Sequence, residues 1–360
     1  MDEVALAERL IAFDTATPGG VRRAAEFVGG WLESNDIEAR QIEARGLPVT
    51  MAEVGPADAP TLVMHGHLDV VPAIQDQFKP KIEGDRLLGR GAYDMKGALA
   101  VMMLVLRDAR EQDAVRLRLG IVSDEESEEE EDRGSDALVA DGFVGDFVIT
   151  GEPTNLQVGV QAKGVLAMRL AIGGRSAHGA TPWLGDNAIV KAVEVFRGIE
   201  SLPFARQSSR LFDRPSINLG RIVGGDALNR VPDNCVMDVD VRFLPEQDPE
   251  EILAQVQGLP DTRVIATFRR PPAVVDDDSP FVEGLCRAAS PHHPEQVMSV
   301  GRDGASDAVS FLGAGVPAVE FGPIGDGHHG PEEWVSVSSL GAYRNALEGF
   351  VKHFPAMVPA

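Results

Sequence analysis

Cysteine is almost missing from this chain: Cys235 and Cys286 are the only two in 360 residues. A disulfide framework is therefore excluded, and a reducing cytoplasm is the expected compartment. Long apolar runs are missing too. The longest, Ala98 to Leu106, suits a core helix and falls well short of the roughly 18 residues a membrane span requires. No charged-apolar-small signal opens the N-terminus. Positive charge is scarce, with 33 Lys and Arg against 56 Asp and Glu and a net charge of −23. That balance repels polyanions, so neither nucleic acid nor an anionic membrane is an expected partner. Metal ions and small cations remain compatible with it, as does plain solubility. There is no internal repeat at solenoid spacing and no low-complexity segment beyond one acidic run, Ser127 to Asp132.

With 44% hydrophobic residues the chain can bury a full core, and its length favours two domains. Helical spacing over 2–13 and 21–34 is followed by extended candidates at 37–43, 49–54 and 61–65. A glycine-punctuated loop, Gly89-Arg90-Gly91-Ala92-Tyr93-Asp94-Met95-Lys96-Gly97, leads into a helix from Ala98. Strands at 117–122 and 146–149 run into Ser123-Asp124-Glu125-Glu126 and Thr150-Gly151-Glu152-Pro153. Strands alternating with helices predict an α/β domain built on a mostly parallel sheet covered on both faces. From about Gly164 the order becomes βαββαβ, the ferredoxin-like plait, with strict alternation over Cys235–Phe243 and an acidic, proline-led helix start at Asp248-Pro249-Glu250-Glu251. The expected division is a discontinuous domain, 1–163 and 272–360, carrying an inserted α+β dimerisation or lid domain at 164–271.

Four expected strands of the outer domain end in potential ligands. These are His67 and Asp69 in Met64-His65-Gly66-His67-Leu68-Asp69-Val70-Val71-Pro72, Glu125 and Glu126, Glu152, and the pair His328 and His329 after Phe321. Ligands collect at that edge in open α/β sheets. Asp94 adds a fifth loop, although a carboxylate before a helix is often a simple cap. Carboxylates and imidazoles without thiolates suit zinc, manganese or cobalt at a catalytic site, and this many ligands would serve two metals holding a water nucleophile. Asp69 lies close enough to take the second N–H of His67. Glu125, adjacent to Glu126, is the natural carboxylate to accept the water's proton. Gly66 is read as letting the backbone turn between the two. Cys235 reads as core and Lys96 as a loop or helix-start residue. Trp183 either lines an entrance or packs, and His292 and His293 read as surface.

In combination, HGHLDVVP, GRGAYDMKG, SDEE, GEPT, GRSAHGATPWLGDNA, LNRVPDN, DVDVRF, GASDA and HHGPEEWVSV resemble the M20 metallopeptidase and deacylase family over about residues 5–352. The resemblance implies two divalent metal ions, zinc first and cobalt or manganese next. His67 with Glu152 would hold one and Glu126 with His329 the other, with Asp94 bridging. His329 is preferred to His328 because the family's histidine lies four residues before a glutamate, here Glu333. Asp69 would orient His67, and Glu125 would act as general base and acid. His178 would reach the partner's site in a homodimer and stabilise the oxyanion, and Asn229 and Arg242 would hold a substrate carboxylate. The implied reaction is cleavage of the amide bond of an N-acyl amino acid, as in deacetylases and desuccinylases. A carboxypeptidase or dipeptidase is the alternative, and a non-catalytic metal-binding dimer the remote one. Two departures stand out. The run Ser127-Glu128-Glu129-Glu130-Glu131-Asp132-Arg133 intervenes before Gly134-Ser135 and reads as a solvated, mobile loop. Gly304-Ala305-Ser306-Asp307 replaces the commoner Gly-Thr-Ser-Asp.

Overall fold

The structure is a computed structural model that describes residues 1–127, 132–293 and 297–358. It divides into two compact units, Met1–Val160 with Val275–Val300 and Asp307–Ala360, and Gln161–Val274 with Gly301–Ser306.

The larger unit opens with two helices whose starts are written locally. Asp2 accepts from the backbone of Ala5 to cap α1 (Glu3–Ile11), and Thr17 caps α2 (Pro18–Glu33), where a proline takes the first turn. Strands β1 (Ala39–Ala44), β2 (Leu47–Val54) and β3 (Thr61–His67) follow, then the short β4 (Lys81–Glu83) and β5 (Arg86–Leu88). Next come α3 (Gly97–Asp108), β6 (Arg116–Val122), α4 (Gly134–Ala140), β7 (Phe147–Thr150) and β8 (Val158–Ala162).

The smaller unit runs β9 (Gly164–Gly173), α5 (Ala188–Ile199), β10 (Ser216–Gly224), β11 (Asn234–Phe243), α6 (Pro249–Gln257) and β12 (Thr262–Arg270). Its sheet order is β10-β11-β9-β12, antiparallel at every step. The βαββαβ reading rested on strict alternation, and that alternation is what buries one face. Cys235, Met237, Val239, Val241 and Phe243 enter a core shared with Ala188, Ala192 and Ile199 of α5 and Ile252 and Val256 of α6. Cys235 is a core residue. Trp183 is 74% exposed, so it has no packing role within this unit.

The chain then adds β13 (Ala273–Val274), α7 (Pro280–Ala289), β14 (Ser299–Arg302), α8 (Ala308–Gly313), β15 (Ala318–Glu320), β16 (Gly325–Asp326), β17 (Trp334–Ser336) and α9 (Val337–His353). The large sheet has the order β1-β2-β6-β3-β7-β15-β8-β13, with β14 also on β8. Its centre, β6-β3-β7-β15, is parallel, and the flanks are antiparallel. Both faces of the parallel centre are covered, as successive residues of β3 show. The Gly66 position lies against Met95, just ahead of α3, and Leu99 of α3, whereas His65 meets Ser135 of α4 and Phe311 of α8. No helix among the described residues is long and apolar enough to cross a membrane.

Two sequence expectations are corrected. Gly66 sits inside β3 rather than in a turn. An added Cβ there would lie 2.5 Å from the Cε of Met95, in the turn ahead of α3, so the small residue leaves room for that side chain. A further sheet, β16-β17-β5-β4, had no counterpart in the sequence reading. Residues 128–131 of the acidic run lie outside the described residues, but Arg133 at its end is buried instead of solvated.

The aromatic centre of the larger unit tests this packing. Phe147 is fully buried and stacks on Phe281 at 4.8 Å beside Phe350 at 5.8 Å. Phe147→Ala should cost about 3–5 kcal/mol, read from the denaturant midpoint at unchanged slope. A loss below about 1 kcal/mol would contradict this arrangement.

Candidate metal centre

The parallel strands deliver the site. β3 ends in His67, β6 runs through Ser123 and Asp124 to Glu125 and Glu126, β7 continues to Glu152, and the chain beyond β15 and β16 supplies His329. All four approach one edge of the sheet, and Asp94 enters from the turn Ala92–Lys96 ahead of α3.

Two groups of three converge around Asp94. His67, Asp94 and Glu152 form one, and Asp94, Glu126 and His329 the other, each with donor atoms within 4.8 Å of one another. His67 Nε2 lies 3.2 Å from Asp94 Oδ1 and 3.8 Å from Glu152 Oε1. His329 Nε2 lies 2.9 Å from Glu126 Oε1 and 3.4 Å from Asp94 Oδ2. His329 has φ +62°, a left-handed conformation costing about 1–2 kcal/mol for a residue with a side chain. The loop bears that cost where it aims the ring at Glu126 and Asp94.

The donor set fits divalent cations. His67 Nδ1 donates to the backbone carbonyl of Asp69 at 2.9 Å, and a carbonyl can only accept. Nε2 therefore turns its other side toward two carboxylates, where a proton or a cation must lie. Glu152 Oε1 is buried without a hydrogen-bond partner. The second metal-facing group is equally polar, and no thiolate takes part. Asp69 works differently from the expectation: its carbonyl, not its carboxylate, receives the His67 N–H, with Oδ1 at 3.6 Å. Its Oδ2 accepts the backbone N–H of Glu126 at 2.8 Å, so one residue fixes a histidine and a carboxylate of different groups.

Charge crowding sets the proton affinities. Burial pushes Glu125 up to about 8, helped by Asp307, Glu126 and Asp94 and opposed by His67. Burial, then the charge of Asp94, holds Glu152 well above the carboxylate range. Hydrogen bonds with Asp94 and Glu126 raise His329 to about 10. Burial would lower His67, but Asp94, Glu152, Asp69 and Glu125 keep it well above 6.5. Burial would raise Asp94, but hydrogen bonds from His329 and His67 hold it below the usual range.

Residues 63–353 match the model of Peptidase family M20/M25/M40. The chain belongs to this family. It is accordingly a metal-dependent amidohydrolase. Among M20 relatives, succinyl-diaminopimelate desuccinylases from Leptothrix cholodnii and Sphingopyxis alaskensis are 29% and 28% identical. These matches cover 97% and 94% of this chain and 98% and 95% of those proteins. The fold is shared with a Staphylococcus aureus tripeptidase at TM-score 0.81 and 20% identity, over 98% of both chains. It is shared with an M20 metallo-carboxypeptidase from Sulfolobus solfataricus at TM-score 0.79 and 18% identity, over 99% and 100%. A Bacillus subtilis M20 peptidase described as dinuclear metal binding matches at TM-score 0.67 and 17% identity, over 98% and 99%.

The remaining sequence candidates lie in the smaller unit. His178 is exposed, and its Nδ1 accepts from the backbone of Ala180. Its strand-like bridge to Arg230 and the Gly179 N–H to the Asn229 carbonyl at 2.7 Å place His178 beside Asn229. Arg242 is not brought to them. It sits at the far end of β11, where Nε donates to Asp240 at 2.9 Å.

Two organising residues of this site escaped the sequence. Glu333, used only as a spacing landmark, accepts the backbone N–H groups of Gly91, Tyr93 and Asp94 at 3.0 Å each and Arg90 Nη1 at 2.6 Å. It thereby pins the Asp94 loop to the His329 loop. Asn155 Oδ1 accepts Tyr93 Oη and the Gly325 N–H, tying three loops together. Both depend on partners 62 to 243 residues away, which no local spacing reveals.

The protonation pattern predicts a measurable linkage. Glu125, raised to about 8, and His329, raised to about 10, hold protons in the metal-free protein near pH 7, and cation binding must displace the proton of the ligand His329. Apparent metal affinity should therefore rise with pH between about 6 and 8. Calorimetric titration of the chelator-stripped protein in two buffers of different ionisation enthalpy should show net proton release. Equal heats in the two buffers would contradict it.

Proposed function

We propose that this chain hydrolyses the amide bond of a small N-acyl amino acid, with desuccinylation the leading form of the reaction. The observation carrying the proposal is the pair of cation-ready groups sharing Asp94, with the Glu125 carboxyl beside them. The desuccinylase relatives matching along nearly the whole chain support the choice of substrate class. His67 and Glu152 would hold one divalent cation, Glu126 and His329 the other, and Asp94 both, with zinc first and manganese or cobalt next. Bound cations of this kind polarise a carbonyl and make water a nucleophile at neutral pH. Glu125 takes the proton from the attacking water at a carboxylate oxygen and returns it to the leaving amine nitrogen. Asp69 keeps His67 and Glu126 in register throughout. His178 of the partner subunit would donate to the developing oxyanion, and Asn229 beside it would hold the substrate carboxylate, a role for which Arg242, paired with Asp240 at the far end of β11, is not placed.

A second reading, carboxypeptidase or dipeptidase, is favoured by the likeness in fold to the tripeptidase and the metallo-carboxypeptidase. The two readings share machinery and differ in substrate. Glu125→Gln should lower turnover by about 10²- to 10⁴-fold with metal content unchanged. The wild type, assayed for released amine on N-succinyl and N-acetyl amino acids and on dipeptides, should prefer the acyl substrates. Retained activity in the variant would remove Glu125 from its role, and a preference for dipeptides would select the second reading.

The smaller unit is proposed as the dimerisation domain of a homodimer. Its edge strand β10 exposes Ile222 and Val223, and α5 exposes Val190 and Val193, an apolar set suited to self-association. Val190→Glu with Val223→Lys should convert the dimer to a monomer in sedimentation velocity at micromolar concentration. A wild type that sediments as a monomer would refute the proposal. The two free cysteines and the absence of an apolar span among the described residues support a cytoplasmic location.

A further inference from the structure

Behind Glu125 lies a buried polar chain that the proposed chemistry does not use. Arg133, 5% exposed, places Nη1 3.8 Å from Glu125 Oε1 and 3.2 Å from Asp307 Oδ1. Its Nη2 donates to the backbone carbonyl of Ser127 at 3.3 Å. Asp307, 1% exposed, is itself gripped on the other oxygen by the Ser135 hydroxyl. Ser135 Oγ meets His65 Nε2 at 3.0 Å, and His65 Nδ1 meets Thr150 Oγ1 at 3.3 Å. The chain of contacts thus runs from β7 and β3, through α4 and the start of α8, to the carboxyl of Glu125.

Its geometry answers a definite difficulty. Glu125 stands among carboxylates, with Asp94, Glu126 and Asp307 all repelling its negative form. A carboxylate so placed swings away from its neighbours unless a cation on one side holds it. The guanidinium of Arg133 supplies that cation, 3.8 Å from Glu125 Oε1. Asp307 and the Ser127 carbonyl keep the guanidinium fork from rotating. Arg133 also closes the acidic excursion, so the one basic residue of that run is the one turned inward.

We propose that Arg133, anchored by Asp307, is a positioning residue for Glu125, fixing the direction in which its carboxylate faces the substrate. The proposal rests on the reading of Glu125 as the proton carrier. Misplacing a proton-transfer group by about an ångström costs about a hundredfold in rate. Arg133→Met should therefore lower kcat by about tenfold to a hundredfold, with KM and bound metal within about twofold of wild type.

Two double variants separate positioning from mere charge balance. Arg133→Met with Asp307→Asn removes both buried charges, so its thermal midpoint should return toward wild type while kcat stays low. This double variant carries the test if Arg133→Met alone fails to fold. Arg133→Met added to Glu125→Gln should give no further loss, because the two residues act as one unit. Recovery of wild-type kcat in the charge-free pair would overturn the proposal, as would an equal slowing by Arg133→Met in both the wild-type and Glu125→Gln backgrounds. An active Glu125→Gln enzyme would instead remove the reading of Glu125 on which the proposal stands.

Discussion

The constraint that governs this molecule is the burial of negative charge at one edge of a sheet. Asp69, Asp94, Glu125, Glu126 and Glu152 gather beyond the parallel strands around the imidazoles of His67 and His329. In a low-dielectric site such a gathering repels itself unless each charge meets a proton, an N–H or a cation. The surrounding structure supplies these counter-groups one at a time. Asp69 receives the Glu126 N–H, and Arg133 stands behind Glu125. Glu333, a buried carboxylate of its own, is used to organise the loop that carries Asp94. Glu152 Oε1 is left buried without a partner, beside the carboxylates that His67 and His329 face, and a divalent ion there would neutralise the remaining negative charge.

Much of this was legible in the sequence because the site is built from strand ends. An apolar run stopping at a histidine or glutamate is a local pattern, and parallel strands place their C-terminal ends on one edge whatever lies between them. The plait was legible for a similar reason, since Cys235–Phe243 alternates without a break and only one face can be buried. Residues whose work depends on distant chain were not legible. Glu333 looked like a spacing marker, and Arg133 was submerged in a run of like charge. The sheet β16-β17-β5-β4 has strands of two and three residues, too short for any periodicity to register. Gly66 was read for its flexibility, whereas it lies within β3 against the Met95 side chain.

The two groups around Asp94 also differ in kind. The His67 side is closed, with the histidine fully buried and Glu152 at 12% exposure, whereas the His329 ring is half exposed. The closed side is built from strand termini that the sheet itself holds in register, and the open side from a loop whose backbone is strained at the histidine. Rigid elements thus support one half of the centre, and a pinned loop supports the other.

Asp124, silent in the chemistry, has a role of another order. Its backbone carbonyl accepts the N–H of Ser127, and its carboxylate accepts the N–H of Gly134 through both oxygens at 3.0 Å. One residue therefore fastens the chain where it departs from β6 and again where it re-enters at α4. Closing a loop costs free energy that grows only slowly with its length. Those two fastenings hold both ends of the excursion beside Glu125 and Glu126. Because Asp124 adjoins Glu125 in the chain, the clasp that closes the excursion also fixes the backbone from which the proton carrier projects.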